Sequence, residues 1–292
     1  MRQSAIQDFW SAHPCGDNVF GPPDGDGQKD YEAFFTRYDM AKYQLESHIP
    51  GCLERLDIAG RRVLEIGLGQ GSEAEQLIRR GGVWTGVDLT EEAVKRTGTR
   101  LALRKLPHEG IQQASVLDLP FPDASFDVVF SHGVLHHVPD ILGAQREIRR
   151  VLKPDGELVV MLYARWSLNY LVAIGLVRRA ALLAGYPLMR LGLFGGRRSL
   201  IGSHVENARC LGLLRYLRME NFIHRNTDGP HNPFSRVYDL RRVERDFPLF
   251  EVRRSEKRFM HAPPLPVHGM IGERALGWHL WVQMVPKALV RP

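Results

Sequence analysis

Three glycines alternate with other residues directly after a short apolar run in the first half of the chain. The run Arg62–Ile66 has the apolar and β-branched composition of a buried strand, and Gly67, Gly69 and Gly71 follow it at alternate positions. Because glycine lacks a β-carbon, a ligand can lie against the backbone of such a turn. The next residues, Ser72–Arg80, have helical composition. Strand, turn and helix together predict a nucleotide-binding site.

Two carboxylates near this turn indicate which kind of nucleotide binds. Asp88 ends a second apolar run about 20 residues downstream, where a carboxylate commonly binds ribose hydroxyls. Glu65 lies two residues before Gly67. A carboxylate beside a helix N-terminus would repel the pyrophosphate of a dinucleotide, but it would attract a positively charged ligand. We therefore expect a cofactor that combines a ribose with positive charge.

This stretch resembles the first motif of the class I methyltransferases that use S-adenosylmethionine (SAM), an acidic residue followed by three alternating glycines. Three later stretches, in the same order along the chain, resemble the small-molecule-modifying branch of that family: Leu119–Val129, Gly133–Val138 and Glu147–Gly156. The resemblance covers Arg61–Tyr163, about a third of the chain. It implies in-line methyl transfer from SAM to an acceptor, with S-adenosylhomocysteine as product and no metal.

The resemblance also implies a set of cofactor contacts. Family members usually carry an acidic residue after strand three that binds the adenine amino group, but Ser115 stands at that position here. A serine hydroxyl can accept the same hydrogen bond, and Asp118 lies nearby, so both remain candidates. The candidate cofactor-binding residues are Glu65, Gly67, Gly69, Gly71, Asp88, Leu89, Ser115, Val116, Leu117, Ser131, His132 and Tyr38.

Histidines supply the candidate catalytic bases for an oxygen or nitrogen nucleophile. His132 follows strand four at the carboxyl edge of the sheet, where ligands bind in open α/β folds. His224 and His231 are further catalytic candidates, in and after a later helical region. We interpret His136 and His137, which lie in a family-typical segment, as structural or gate-lining residues.

The pattern of strands and helices predicts the scaffold that positions these residues. Alternation of apolar runs with helical segments indicates a parallel, doubly wound sheet. We predict an α/β, Rossmann-like fold with seven mostly parallel strands and a helical cap inserted after strand five, and the family resemblance implies that the last strand is antiparallel. The predicted strands are Arg62–Ile66, Val83–Asp88, Ile111–Val116, Phe126–Ser131, Glu157–Tyr163, Phe250–Phe259 and Gly277–Val285.

We divide the chain into four segments: residues 1–60 are an N-terminal arm and helix that cover the cofactor site, residues 61–164 are the SAM-binding core, residues 165–235 are the helical cap that carries the substrate site, and residues 236–292 complete the core sheet.

Two parts of this division rest on local patterns. Prolines and glycines predict an irregular arm over the first 28 residues, and Asp30–His48 predicts the covering helix that carries Tyr38. In the cap, Ser203 and Glu206 have the spacing of a capping box, which predicts a helix from about His204 to Leu217.

Composition excludes several classes of protein. The chain has 292 residues, 44% hydrophobic and 25% charged, which is typical of a soluble globular protein. Its three scattered cysteines predict neither a disulfide framework nor a zinc site and favour a reducing cytoplasm, where we expect the protein. We find no signal-peptide pattern, and no run reaches the ~18 apolar residues that span a bilayer. The longest apolar run is Trp166–Val177.

Positive charge is concentrated in the predicted cap. The net charge is +6, but Arg165–Arg225 alone contains ten arginines and two acidic residues. Three interpretations of its apolar helices stay open: packing over a substrate pocket, a homodimer interface, and docking on a membrane surface.

The most consistent function is a SAM-dependent methyltransferase acting on a small molecule, a secondary metabolite of anionic or hydrophobic character. A lipid or quinone methyltransferase at a membrane is the main alternative. A nucleic-acid methyltransferase is disfavoured, because strand four ends in Ser131-His132-Gly133-Val134 rather than in the Asn/Asp-Pro-Pro-aromatic motif of base-amine methylation. A cofactor-binding regulator without enzymatic activity is a further alternative.

Overall fold

A seven-stranded sheet forms the centre of the computed structural model, which describes residues 3–17, 21–23, 25, 27–191 and 200–288. The strand order is β3-β2-β1-β4-β5-β7-β6. Neighbours from β3 to β5 pair in parallel, whereas β7 is antiparallel to both β5 and β6. The predicted fold class is therefore confirmed. The strands are β1 (Arg62–Ile66), β2 (Val83–Asp88), β3 (Gly110–Gln113), β4 (Phe126–His132), β5 (Leu152–Tyr163), β6 (Phe250–Arg258) and β7 (His279–Pro286).

Helices follow and separate the strands. The helices that begin at Glu91 and Ile141 have side-chain caps, because Thr90 accepts a hydrogen bond from the Ala93 amide and Asp140 accepts one from the Gly143 amide. The helices are α1 (Gln3–Ala12), α2 (Gln28–Leu45), α3 (His48–Leu53), α4 (Ser72–Arg79), α5 (Glu91–Leu103), α6 (Ile141–Val151), α7 (Asn169–Arg178, a π-helix), α8 (Arg179–Arg190), α9 (Leu200–Leu211), α10 (Leu213–Tyr216), α11 (Met219–Phe222), α12 (His224–Thr227), α13 (Leu240–Asp246) and α14 (Glu273–Leu276).

Both faces of the sheet are buried, because side chains of a strand alternate between them. Leu64 and Ile66 of β1 join the core on one face, together with Ile148 of α6. Val63 joins the core on the other face, together with Trp84 of β2. This two-sided burial explains why the central strands are continuous apolar runs rather than alternating ones. The carboxyl ends of β1, β2 and β4 are left as the edge at which ligands can bind.

The helices after β5 form a third core of their own. Ile174 and Leu182 pack there with Val205, Ala208 and Tyr216. The chain then returns to the sheet, where the Tyr238 amide donates a hydrogen bond to the Tyr163 carbonyl over 2.7 Å. Residues 192–199, which contribute two of the arginines in the predicted cap, lie outside the described residues.

Two sequence predictions in the first half of the chain are corrected. The N-terminal arm is not irregular, because Gln3–Ala12 forms α1 and buries Ile6 and Phe9. The third strand ends at Gln113 rather than Val116, because the chain turns at Ser115, whose hydroxyl accepts a hydrogen bond from the Leu117 amide.

Two predictions in the cap are also wrong. Ser203 does not cap a helix, since it lies inside α9, and that helix ends before Gly212, which has a φ of 82°. Our expectation that no segment is long and apolar enough to cross a bilayer also fails for one stretch. The helix Asn169–Leu188, with a mean hydropathy of 1.5, meets that requirement by length and composition alone, because Arg178 and Arg179, which follow the apolar run Trp166–Val177, do not interrupt the helix.

Candidate functional site

A cavity lies at the carboxyl ends of β1, β2 and β4. It encloses about 1220 Å³ of empty space, the solvent at its mouth included. Its walls are the glycine loop after β1, the ends of β2 and β4, the turn after β3, and side chains of α1 and α2. This is the position at which doubly wound folds bind their ligands.

The glycine loop is held in one conformation by close contacts. The Gly67 amide donates a hydrogen bond to the Val87 carbonyl over 2.8 Å, which ties the loop to β2. Gly67 has a φ of 85°, and a β-carbon there would lie 2.1 Å from Cγ2 of Val134. From the other side, Arg100 Nε donates to the Gln70 carbonyl over 2.8 Å. A residue larger than glycine would therefore force the loop apart from the segment after β4.

Asp88 presents a carboxylate at the end of β2. Its Oδ2 accepts a hydrogen bond from the Leu68 amide over 2.7 Å, and its Oδ1 accepts bonds from the amide and the hydroxyl of Thr90. Burial nevertheless raises the pKa of this carboxyl. These bonds occupy three of the about four acceptor positions of a carboxylate, so Asp88 retains about one position for a hydroxyl of a ligand.

An ion pair between α2 and α4 lies in the cavity wall. Lys42 Nζ is 2.6 Å from Glu73 Oε1, and their side chains are 12% and 8% exposed. Burial alone would raise the pKa of Glu73, but Lys42 and the nearby His132 hold it at about 2. The pair therefore places one fixed positive and one fixed negative charge beside the glycine loop.

His132, at the end of β4, is one of two imidazoles in the cavity wall, the other being that of His137. Burial lowers its pKa to about 4, so the ring is neutral at neutral pH. Its Nδ1 lies 3.9 Å from Glu73 Oε1. Its Nε2 is buried and has no hydrogen-bond partner within the part of the chain that the structure describes. A neutral imidazole with one unused nitrogen can accept a proton or a hydrogen bond from a ligand.

Helix α1 covers the cavity from outside. Gln3, Ile6 and Trp10 line it, and Gln3 Nε2 donates a hydrogen bond to the Ser115 hydroxyl. The Trp10 ring meets the His137 ring edge to face, with 5.2 Å between the centroids. A bound ligand would consequently be shielded from water by a helix that lies far from the glycine loop in sequence.

A second polar cluster extends from the cavity toward the loop that follows the cap. The Tyr163 hydroxyl donates to Asp228 Oδ1 over 2.7 Å. His137 Nε2 lies 3.4 Å from the other oxygen of Asp228. Both nitrogens of His136 are buried without a hydrogen-bond partner among the described residues. The loop after the cap thus contributes a carboxylate next to the cavity.

Most predicted cofactor residues line this cavity. They are Tyr38, Gly67, Gly69, Asp88, Leu89, Val116, Leu117 and His132.

Four predicted contacts lie outside the cavity wall, each for a local reason. Gly71 leaves room for α5, since a β-carbon there would lie 3.0 Å from the Thr97 hydroxyl oxygen. The Ser115 hydroxyl is engaged by Gln3 and Leu117. Ser131 is buried and donates to the Ile66 carbonyl over 3.1 Å, which joins β4 to β1.

Glu65 is the fourth of these, and its direct attraction for the cofactor stays a prediction. Its side chain is buried beneath the loop and accepts a hydrogen bond from Trp84 Nε1 over 2.7 Å. Burial raises its pKa well above the ordinary value, which favours the uncharged form. The carboxylate that faces the cavity beside the loop is Glu73.

Two of the three predicted catalytic histidines also lie elsewhere. His224 Nδ1 accepts a hydrogen bond from the Ser235 amide over 3.0 Å, and its ring stacks on Phe234. It therefore orders the loop after the cap. His231 is exposed, with its ring 6.5 Å from that of His13. His132 alone of the three lines the cavity.

Comparisons with known proteins agree with this geometry. Residues 64–160 match the family model described as a methyltransferase domain. The chain is 38% identical over 104 residues to 27-O-demethylrifamycin SV methyltransferase of Amycolatopsis mediterranei, a match that covers 35% of this chain and 38% of that protein. It is 33% identical over 125 residues to a ubiquinone biosynthesis O-methyltransferase of Neisseria meningitidis, covering 42% of this chain and 51% of the relative. The chain thus spans about half the length, or less, of these curated relatives.

A solved SAM-dependent methyltransferase from Methanosarcina mazei has the same fold, with a TM-score of 0.51 at 17% identity, over 82% of this chain and 98% of that one. Residues 64–160 are a class I SAM-dependent methyltransferase domain. Its cofactor is SAM.

The cavity of this methyltransferase domain fits SAM. The glycine loop admits a ligand against its backbone, and Asp88 can accept hydrogen bonds from ribose hydroxyls. Lys42 and Glu73 match the opposite charges of the amino-acid end of SAM. Gln70 Oε1, which is buried in the wall, finds no protein partner in the described ranges. An orphaned polar atom of this kind indicates that a ligand or water normally contacts it.

Sequence reasoning missed the pair of Lys42 and Glu73, and it missed that the covering N-terminal arm contains the helix α1. The spacing of Ile6 and Phe9, with Trp10 next to it, was the available signal for α1, because these apolar residues recur at helical intervals. Lys42 and Glu73 belong to separate helices, and no local pattern in the sequence indicates that they meet.

Proposed function

We propose that this protein transfers the methyl group of SAM to an oxygen of a small molecule. The observation that carries the proposal is His132, a neutral buried imidazole whose Nε2 has no hydrogen-bond partner among the described residues of the cofactor cavity. The names of the two relatives given above support oxygen as the acceptor atom, since both specify O-methylation.

SAM supplies an electrophilic methyl group on a sulfonium, so the chain has to position the acceptor and exclude water. In this proposal, Asp88 binds the ribose hydroxyls. Glu73 binds the ammonium group and Lys42 the carboxylate of the cofactor's amino-acid end. Helix α1 shields the reaction, since Trp10 and Ile6 present apolar surface to the cavity.

His132 takes the proton of the acceptor hydroxyl as the oxygen attacks the methyl carbon. Its ring is uncharged across the neutral range because its pKa is about 4. The Glu73 carboxylate, 3.9 Å from Nδ1, stabilises the imidazolium that forms. General-base assistance of this kind contributes about 10²- to 10⁴-fold in rate.

Two acceptor classes follow from the surroundings. A small metabolite is favoured by the polar cluster of Tyr163, His136, His137 and Asp228 beside the cavity. A lipid or quinone is the second candidate, supported by an exposed apolar helix in the cap and by the ubiquinone-pathway relative. A nucleic acid remains the least supported acceptor. The homodimer and the cytoplasmic location stay predictions.

The test is methyl transfer to paired acceptors. Purified protein is incubated with SAM and a panel of phenols and catechols, matched to anilines of the same shape, and S-adenosylhomocysteine formation is measured. We expect turnover of hydroxyl acceptors only, and we expect His132→Gln to lower kcat about 10²- to 10⁴-fold with little change in cofactor affinity.

The matched control is His231→Gln, because His231 is exposed and outside the cavity wall. Turnover of the anilines rather than the phenols would refute oxygen as the acceptor atom. Full activity of His132→Gln at saturating acceptor would refute the base.

A further inference from the structure

Every exposed residue of the helix Asn169–Leu188, which comprises α7 and most of α8, is apolar. Only 17% of the most apolar window of Asn169–Leu188 is buried. The exposed side chains along this helix are Leu171, Leu176, Ala180, Ala181, Leu183, Ala184, Pro187 and Leu188. A helix at the surface of a water-soluble domain normally turns its charged residues outward. We call these eight residues the apolar cap face.

The opposite side of the same helix is fixed to the protein body. Ile174 and Leu182 are buried in the core of the cap. Between them, Arg178 Nη1 donates to the Asn226 carbonyl over 2.8 Å, and Arg178 Nη2 donates to the Pro263 carbonyl over 3.0 Å. If this helix crossed a bilayer, these hydrogen bonds and core contacts would have to break. The helix is therefore suited to lying along a surface and not to spanning a membrane.

Neighbouring helices of the cap also expose apolar and basic side chains. Leu214 of α10 is 83% exposed and Ile201 of α9 is 46% exposed. Arg209, Arg215 and Arg218 are exposed on the same run of helices. Long arginine side chains beside exposed leucines can place their charges among lipid headgroups while their stems stay in the apolar layer.

Charge distinguishes the two partners that such a face could have. The segment Arg165–Arg225 has ten arginines and two acidic residues. Two copies of this chain brought together through that segment would bring like charges close to one another. An anionic membrane surface instead attracts each arginine that comes within a Debye length of it.

We propose that the apolar cap face docks this protein on an anionic membrane surface, with α7 and α8 lying in the plane of the headgroups. This goes beyond methyl transfer and does not depend on it. Docking would bring the cap close to molecules dissolved in the bilayer. The cap also supplies Asp228, which lies beside the cavity.

The test is flotation of the full chain with vesicles. One set contains phosphatidylcholine alone, and the other contains about one third phosphatidylglycerol. The variant is Leu176→Asp/Leu183→Asp, which adds two charges to the apolar cap face. The matched control is Leu142→Asp/Ile271→Asp, because those side chains are 38% and 101% exposed and lie outside the cap. Binding of S-adenosylhomocysteine to every variant verifies that the chain is folded.

We expect the protein to float with the anionic vesicles, and we expect less flotation when the salt rises from about 0.05 M to about 0.5 M. The cap variant should bind at least about tenfold more weakly, because its leucines no longer enter the apolar layer, and the control should bind like the parent. Absence of flotation with anionic vesicles, or equal flotation of both variants, would overturn the proposal. So would a dimer in sedimentation that the cap variant alone abolishes, since a second copy would then cover the face. None of these outcomes bears on whether methyl transfer occurs, which the S-adenosylhomocysteine assay reports separately.

Discussion

Glu73 and Glu65 both lie close to the glycine loop, but of these two only Glu73 lines the cavity in which we propose that the positively charged cofactor binds. Glu73 lines the cavity, and its pKa of about 2 keeps it ionised at neutral pH. Glu65 lies beneath the loop, accepts a hydrogen bond from Trp84, and has its pKa raised by burial. The perturbation is therefore a pair of matched variants, Glu73→Gln and Glu65→Gln, that remove one acid each and keep the shape of the side chain.

The magnitudes follow from the contacts of each residue. A hydrogen bond to a charged group contributes about 1.5–3 kcal/mol, so Glu73→Gln should weaken cofactor binding about 10- to 150-fold. Glu65→Gln keeps an amide oxygen for Trp84 and removes no charge from the cavity, so its dissociation constant should stay within about twofold.

Stability has to be separated from binding, because Glu73 and Lys42 form a buried pair. Removing one partner of such a pair costs about 3–5 kcal/mol, since the other charge is left uncompensated. Glu73→Gln should therefore also lower the melting temperature. The double variant Lys42→Met/Glu73→Gln should recover most of that stability and none of the cofactor affinity.

Isothermal titration calorimetry with S-adenosylhomocysteine and with SAM is the assay. The two ligands share the ammonium group, but only SAM has the sulfonium charge. If Glu73 binds the ammonium group, its loss should weaken both ligands equally. If Glu65→Gln weakened ligand binding more than Glu73→Gln did, this reasoning would be refuted, and Glu65 would be the residue that attracts the positively charged cofactor.

Three further predictions test the scaffold of the site. Gly67→Ala should abolish cofactor binding because its β-carbon would clash with Val134, whereas Gly60→Ala, with a similar positive φ and open space around it, should only lower the melting temperature slightly; equal loss of binding in both would contradict the clash. Between pH 6.5 and 4 the unfolded chain binds a proton at His132 that the folded chain does not, so the unfolding free energy should decrease as the pH is lowered through that range. In denaturant titrations, His132→Asn should reduce this decrease by up to about 3 kcal/mol. Arg100→Met should lower the unfolding free energy in urea by about 3–5 kcal/mol, because the fully buried guanidinium pairs with two carboxylates; a change below about 1 kcal/mol would show that these pairs do not support the loop.

The sheet and the glycine loop could be predicted because their signals are local. The predicted bounds of β1 and β2, Arg62–Ile66 and Val83–Asp88, are those of the structure. A short apolar run must be buried wherever it lies, and a turn with three glycines follows from conformations that other residues avoid. The antiparallel last strand came from the resemblance to a family and not from any property of the residues in β7.

The wall opposite the loop could not be predicted in the same way. Lys42 and Glu73 meet only because α2 packs across the start of α4, and that packing depends on tertiary contacts. Arg100, for example, reaches from α5 to the Asp39 carboxylate in α2 over 2.7 Å and to the Gln70 carbonyl in the loop. Sequence patterns report which face of a helix is buried, but they do not report which other helix covers it.

The position of Glu65 beneath the loop has a geometric cause. Side chains of a strand alternate between the two faces of the sheet. Leu64 and Ile66 join one core, so Glu65 points to the other face, where Trp84 of the neighbouring strand accommodates it. Glu65 lies one residue before the end of β1 on this face, so its side chain lies beneath the loop. The first turn of the next helix does face the cavity, and Glu73 lies there. To predict which ligand charge a glycine loop favours, the residues of the helix that follows the loop must be considered as well as those of the strand that precedes it.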